Sequence, residues 1–468
     1  MFKLPTVKGL SYERQNVWEK INDEEKETTL SFSQDYKNFL NQAKTEREAI
    51  SFCLNFVQAR GFKDILSVEK LIPGDKVYLE KNQKAIVLAV IGKKPFTEGL
   101  NIIGAHIDSP RLDLKPQTLY EKENLGLLKT HYYGGIKKYQ WTSIPLSLHG
   151  VVIKSDGSKV DFVIGEKESD PVFTITDLLP HLAKDQMDKK MGEAITGESL
   201  NILCGSLPVI DKEVKEKVKG YILEYLHSNY GIIEEDFISA EVEAVPSWLA
   251  RDIGFDRSLI GSYGQDDRVC AYTSIRAIVD AEIPETTSLV ILADKEEIGS
   301  SGNTGMMSSL LENAVAEIAV RLNGGNYNEL LLRRTLANSK ALSADVNAGM
   351  DPNYDDVMEK MNAAKLGYGL VLTKYTGSRG KSGSNDAHAE FMGYIRNMFN
   401  RENVNWQTGE LGKIDQGGGG TIAYLMASSG MNVVDCGVAL LGMHSTFEVA
   451  AKTDIYMAYK GYKAFLKG

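Results

Sequence analysis

Two short, almost continuous apolar runs, "KAIVLAVIG" (84–92) and "LNIIGAHID" (100–108), predict buried strands joined by the turn-rich "KKPFTEG". Before them, "DYKNFLNQAKTEREAISFCLNFVQARGF" (35–62) repeats its apolar positions at helical spacing and predicts one long helix. Between about Pro110 and Ile260 the texture changes. "LHGVVIKSDGSKVDFVIGEKESDPVFTITDLL" (148–179) alternates apolar and polar residues around an Asp-Gly turn, the pattern of antiparallel sheet with one solvated face. A charged helix is expected in "DKEVKEKVKGYILEYLHSNYG" (211–231), after which strand and helix alternate again. "TSLVILA" is followed by "GMMSSLLENAVAEIAVRL", and "NVVDCGVALL" by "STFEVAAKTDIYMAYKGYKAFL".

This alternation predicts an α/β fold: a doubly wound, largely parallel mixed sheet with helices on both faces. A β-rich domain interrupts it. The expected boundaries are 1–110 and 260–468 for the discontinuous core and 111–259 for the insert.

Composition narrows the function classes. The 468 residues exceed one ordinary core, and a net charge of −10 disfavours a phosphate-binding surface, so no nucleic-acid partner is expected. No apolar run reaches the roughly 18 residues of a membrane span. The opening "MFKLPTVKGLSYERQ" lacks the apolar core of a secretory signal, so the expected location is cytoplasmic and off the membrane. Cys53, Cys204, Cys270 and Cys436 are scattered without CxxC spacing, which fits free thiols in a reducing compartment.

In open α/β sheets ligands bind beyond the carboxyl ends of the strands. Polar residues gather at those ends here: His106 and Asp108, Glu296 and Glu297, Asp345, and His444, with Asp266 or Asp267 at the start of a helix. Two imidazoles and three carboxylates suffice for a pair of zinc ions about 3.5–4 Å apart, one carboxylate bridging them. On a strand His106 and Asp108 share a face, so Asp108 can support the metal site from behind. Glu296 and Glu297 point oppositely if their strand is regular, giving one a ligand role and the other that of general base. Other anchors fail. "GSRGKSGS" has Tyr375 where a P-loop needs glycine, and no GxSxG, HExxH or GxGxxG is in place. "QGGGGTIAY" offers either an anion-binding helix start or a tight turn.

The ordered motifs "GAHIDSPRLDLKP", "YGG" with a following tryptophan, "PHLA", "GQDDRV", "DKEEIGSSG", "SADVNAGMDPNY" and "GMHSTFEVAAKTD" span nearly the whole chain. Together they resemble the aspartyl aminopeptidase family of dinuclear zinc exopeptidases. The resemblance implies a metalloaminopeptidase acting on peptide substrates with two zinc ions per subunit, manganese or cobalt being acceptable substitutes. It implies His106, Asp266, Glu297, Asp345 and His444 as ligands, Asp266 as bridge, Glu296 as base and Asp108 as the residue that orients the site. It further implies that the insert is a dimerisation domain, that subunits form hollow dodecamers, that His181 reaches a neighbour's active site, and that Lys374 lies near the substrate. The glycine run and the basic stretch "TGSRGKSGSNDAHAEF" depart from the family pattern, leaving the preferred N-terminal residue, acidic or neutral, open. A related cocatalytic-metal dipeptidase or deacylase, and a non-catalytic scaffold of the same fold, are the competing readings.

Overall fold

The computed structural model describes residues 10–468; the first nine residues, part of the opening segment discussed above, lie outside it. The core is a mixed sheet of nine strands in the order Lys63–Asp64, Lys76–Lys81, Ala85–Val90, Ser288–Ala293, Asn101–His106, Lys340–Ser343, Asn432–Gly437, Leu370–Thr373 and Trp406–Thr408. Alternate strand residues serve opposite faces. Ile103, Ala105, Val290 and Leu292 pack against helices Asp23–Gln42, Gln265–Val279 and Lys452–Lys467, whereas Ile102, Leu289 and Ile291 pack against Leu310–Leu322 and Glu329–Ala337. The expected doubly wound α/β architecture is therefore present.

Two local expectations, both about helices, are corrected, and the order of the first strands in the sheet is added. The single helix over 35–62 is two, Asp23–Gln42 and Glu46–Gln58, because Thr45 caps the second with Glu48 in a reciprocal capping box. The first two apolar runs are not neighbours: Ser288–Ala293 lies between them, antiparallel to Ala85–Val90 and parallel to Asn101–His106. The final helix starts at Lys452, since Glu448–Ala451 is recruited as a strand beside Leu259–Ser262.

A second sheet of six strands is built from residues 111–246, every pairing antiparallel, around its own core of Leu112, Trp141, Leu146, Ile202 and Val242. Strand Arg251–Ile253, within the expected insert, pairs instead with Leu259–Ser262 in a third sheet. Among the described residues no helix is long and apolar enough to cross a membrane.

The main sheet also buries a carboxyl. Asp435 Oδ1 accepts the Thr421 hydroxyl at 2.6 Å, and burial pushes the group up to about 6 from its ordinary 3.8. The folded state thus holds this proton more tightly than the unfolded state, so its contribution to stability falls as pH rises from about 4 to 6, by at most about 3 kcal/mol. Urea unfolding at pH 4 and pH 7 is expected to show Asp435→Asn gaining on wild type by up to that amount at the higher pH; parallel pH curves would contradict this.

Candidate metal centre

Register brings the predicted residues together. Ala293 pairs with His106 and Ser343 with Gly104, so two residues past Ser343 the chain places Asp345 level with His106. Asp266 enters from helix Gln265–Val279, whose preceding Gly264 adopts φ +71 and has no room for a Cβ, which would stand 1.8 Å from an Arg268 nitrogen. Asp266 and Asp267 themselves lie outside helical dihedrals, which turns the first carboxylate into the cleft. His444 comes from the turn between strands Ala439–Leu441 and Glu448–Ala451.

Asp266 stands between the two imidazoles: Oδ1 is 3.2 Å from His106 Nε2, and Oδ2 is 3.2 Å from His444 Nε2. His106 Nε2 is also 3.8 Å from Asp345 Oδ1, and His444 Nε2 is 3.5 Å from Glu297 Oε2. His106, Asp266, Glu296, Glu297, Asp345 and His444 all line one cleft of about 470 Å³.

The glutamate pair departs from the strand geometry expected of it. The strand ends at Ala293, Lys295 takes a left-handed conformation, and Glu296–Ile298 forms a 3-10 turn, so strict alternation of neighbours does not apply. Both carboxylates face the cleft. Asp108 makes this turn possible, since Oδ1 accepts the Glu296 N–H and Oδ2 the Glu297 N–H, each at 3.1 Å. The Asp108 backbone carbonyl lies 3.0 Å from His106 Nδ1, which directs His106 Nε2 inward.

Sequence reasoning missed Glu448. It is fully buried, with Oε2 accepting the Asp266 N–H at 3.0 Å and Oε1 the His444 N–H at 2.8 Å, so one side chain fixes both backbones. Its only sequence signal is an acid in an apolar strand, "FEVAA". Tyr133 was present only as part of a quoted motif; its hydroxyl donates to Asp108 Oδ2 at 2.8 Å.

The two residues named for substrate lie elsewhere. Lys374 is half-exposed and paired with Asp386 at 2.6 Å, outside the cleft lining, where Arg379, Lys381 and Lys413 are found instead. His181 sits exposed on a 3-10 turn of the insert, Pro180–Leu182. The glycine run is neither a tight turn nor a helix start: Gly418–Gly419 is a short strand antiparallel to Gly377–Ser378 at the cleft wall, and the helix that follows, Ala423–Ala427, has only five residues.

The electrostatics call for cations. Burial opposes it, yet the flanking imidazoles hold Asp266 well below the ordinary carboxylate range. Burial also works against a charged His444, but Asp266 and Glu297 push it up to about 10. Burial, then the charge of Asp266, push Glu297 up, and burial leads the upward shift of Asp345 and Glu296. Among the described residues Glu297 Oε1 is buried without a hydrogen-bond partner. Two imidazole nitrogens and the carboxylate oxygens of Asp266, Glu297 and Asp345, converging on one cleft, are the donor types that fit divalent zinc.

Such a donor set at the carboxyl ends of an α/β sheet defines a metal-dependent hydrolase. The family described as Aminopeptidase I zinc metalloprotease (M18) matches residues 39–466. A Clostridium acetobutylicum protein named "Probable M18 family aminopeptidase 1" is 52% identical over 97% of this chain and 98% of its own. The crystal structure of an M18-family aminopeptidase from Thermotoga maritima is 47% identical, covers 98% of this chain and all of its own, and superimposes with a TM-score of 0.94. The dodecamer structure of yeast mApe1, 23% identical over 93% of this chain and 96% of its own, shares the fold at a TM-score of 0.75. The chain belongs to the M18 family and is a zinc-type metallo-aminopeptidase.

Proposed function

We propose that the cleft holds two zinc ions and releases the N-terminal residue of peptides. The observation that carries this is Asp266 offering a separate oxygen to each imidazole, 3.2 Å on either side. His106 and Asp345 would hold one ion, Glu297 and His444 the other, and Asp266 both. When bound, the pair supplies Lewis-acid polarisation of the scissile carbonyl and acidifies water. Glu296, in the cleft but tied through its N–H to Asp108, accepts the proton of the attacking water and returns it to the leaving amine. Asp108 keeps Glu296, Glu297 and His106 in register for that transfer.

Arg379, Lys381 and Lys413 line the same cleft, which supports an acidic N-terminal side chain. Lys374 shares Asp386 with Lys381 and so acts on this rim through that carboxylate. The exposed His181 is available to a neighbouring copy, in keeping with a cytoplasmic homo-oligomer such as the dodecamer of the yeast relative. Peptides identical except for their first residue, free or N-acetylated, test this reading on zinc-reloaded enzyme. Single residues are expected to leave from free N-termini, Asp and Glu fastest, with acetylation slowing release more than about 100-fold because it removes the free α-amino group by which an exopeptidase positions its substrate. Preference for Leu or Met would remove the acidic pocket, and hydrolysis of only acylated substrates would replace the aminopeptidase by a deacylase.

A further inference from the structure

The cluster gathers residues from the main sheet, helix Gln265–Val279 and the third sheet, yet two of its supports come from the insert. Tyr133 ends strand Leu125–Tyr133 of the six-stranded sheet, and its hydroxyl donates to Asp108 Oδ2 at 2.8 Å, the oxygen that also accepts the Glu297 N–H. Two residues later the Gly135 carbonyl lies 2.9 Å from His444 Nδ1, so this nitrogen donates and Nε2 is left facing the cleft. Gly134 lies between them at φ +74, and a Cβ there would stand 3.3 Å from Glu297 Cβ and from Glu297 Oε2.

The tyrosine is itself anchored across the junction of the two sheets. The Arg111 guanidinium stacks 3.9 Å over its ring. Arg111 is buried and pairs with Asp113 and Glu243 of the insert and with Glu46 of helix Glu46–Gln58. The contacts run from this junction through Tyr133 to Asp108, and from Asp108 to the backbone of both active-site glutamates.

We propose that Tyr133 is a positioning residue of the metal centre, and that the Tyr133–Gly135 segment of the insert is a working part of the site rather than a tether to it. This rests on the reading that Glu297 and His444 hold zinc. Asp108 Oδ1 faces the Glu296 N–H and, at 3.3 Å, His106 Nδ1, whereas Oδ2 has the Glu297 N–H and the Tyr133 hydroxyl; the hydroxyl is thus the side-chain donor that holds the oxygen on which the Glu297 end of the turn rests. Gly135 removes one tautomer of His444, and Gly134 gives Glu297 room to stand beside it.

Tyr133→Phe removes only the hydroxyl. Zinc competition with a chromogenic chelator is expected to show the more weakly held zinc at least about tenfold looser, in the range that outer partners of ligands command. On peptide substrate kcat should fall with KM within about twofold, and the melting temperature should stay close to wild type. Gly134→Ala, which crowds Glu297 directly, should loosen the same zinc without involving the hydroxyl. Wild-type zinc affinity and kcat in Tyr133→Phe, or a lowered melting temperature with zinc affinity unchanged, would overturn the proposal. Fewer than two zinc ions on the wild-type enzyme would overturn the dinuclear reading instead, and that count is made with Tyr133 intact.

Discussion

Glu296→Gln is expected to lower kcat on aminoacyl peptides by about 10²–10⁴-fold while leaving zinc content and melting temperature at wild-type values. The two side chains have the same shape, and only the carboxylate can accept a proton. The substituted side chain sits where its backbone N–H is held by Asp108 Oδ1 at 3.1 Å, so the turn it belongs to has no reason to move. Glu297→Gln is the matched comparison. It stands 3.5 Å from His444 Nε2 on the ligand side of the cluster, so its loss should appear in zinc content as well as in rate. Elemental analysis alongside kinetics thus distinguishes the proton carrier proposed at 296 from the ligand proposed at 297.

The second large effect is that of Asp266→Ala. A residue that bridges cannot be removed from one ion without being removed from the other. Both zinc ions should bind more weakly, by more than the about 10- to 100-fold that loss of an outer partner costs, and peptide release should become undetectable. His444→Ala should remove one zinc and spare the other, because His106 and Asp345 remain 3.8 Å apart on the far side of Asp266. Loss of a single zinc in Asp266→Ala, with the second bound at wild-type affinity, would show that the carboxylate does not bridge.

How much of this was legible in the sequence depended on how local each signal was. The strands around His106 and after Ser288 read clearly because both their faces are buried, giving continuous apolar runs with polar residues just past the ends. Their order in the sheet did not, since nothing in the turn 93–99 indicates that Ser288–Ala293 inserts between the strands it connects. The break at Thr45 was written in "TERE", a capping box that helical periodicity across the site obscured. Glu296 and Glu297 were found as a pair, but their shared orientation was not, because it depends on a left-handed Lys295 and on Asp108, almost 190 residues away. Glu448 and Tyr133 act through hydrogen bonds to residues distant in the chain, a contribution that spacing does not encode. Lys374 was expected near the substrate only through the family resemblance; its pairing with Asp386, twelve residues on, is not legible from spacing.

The proposed dinuclear site requires one carboxylate, Asp266, to join two metal positions. Zinc per chain, measured by elemental analysis on protein reloaded and then dialysed against metal-free buffer, tests it most directly when wild type, His444→Ala and Asp266→Ala are compared. Two, one and none are expected; a wild-type value of one, or an Asp266→Ala value equal to that of wild type, would rule out the bridge.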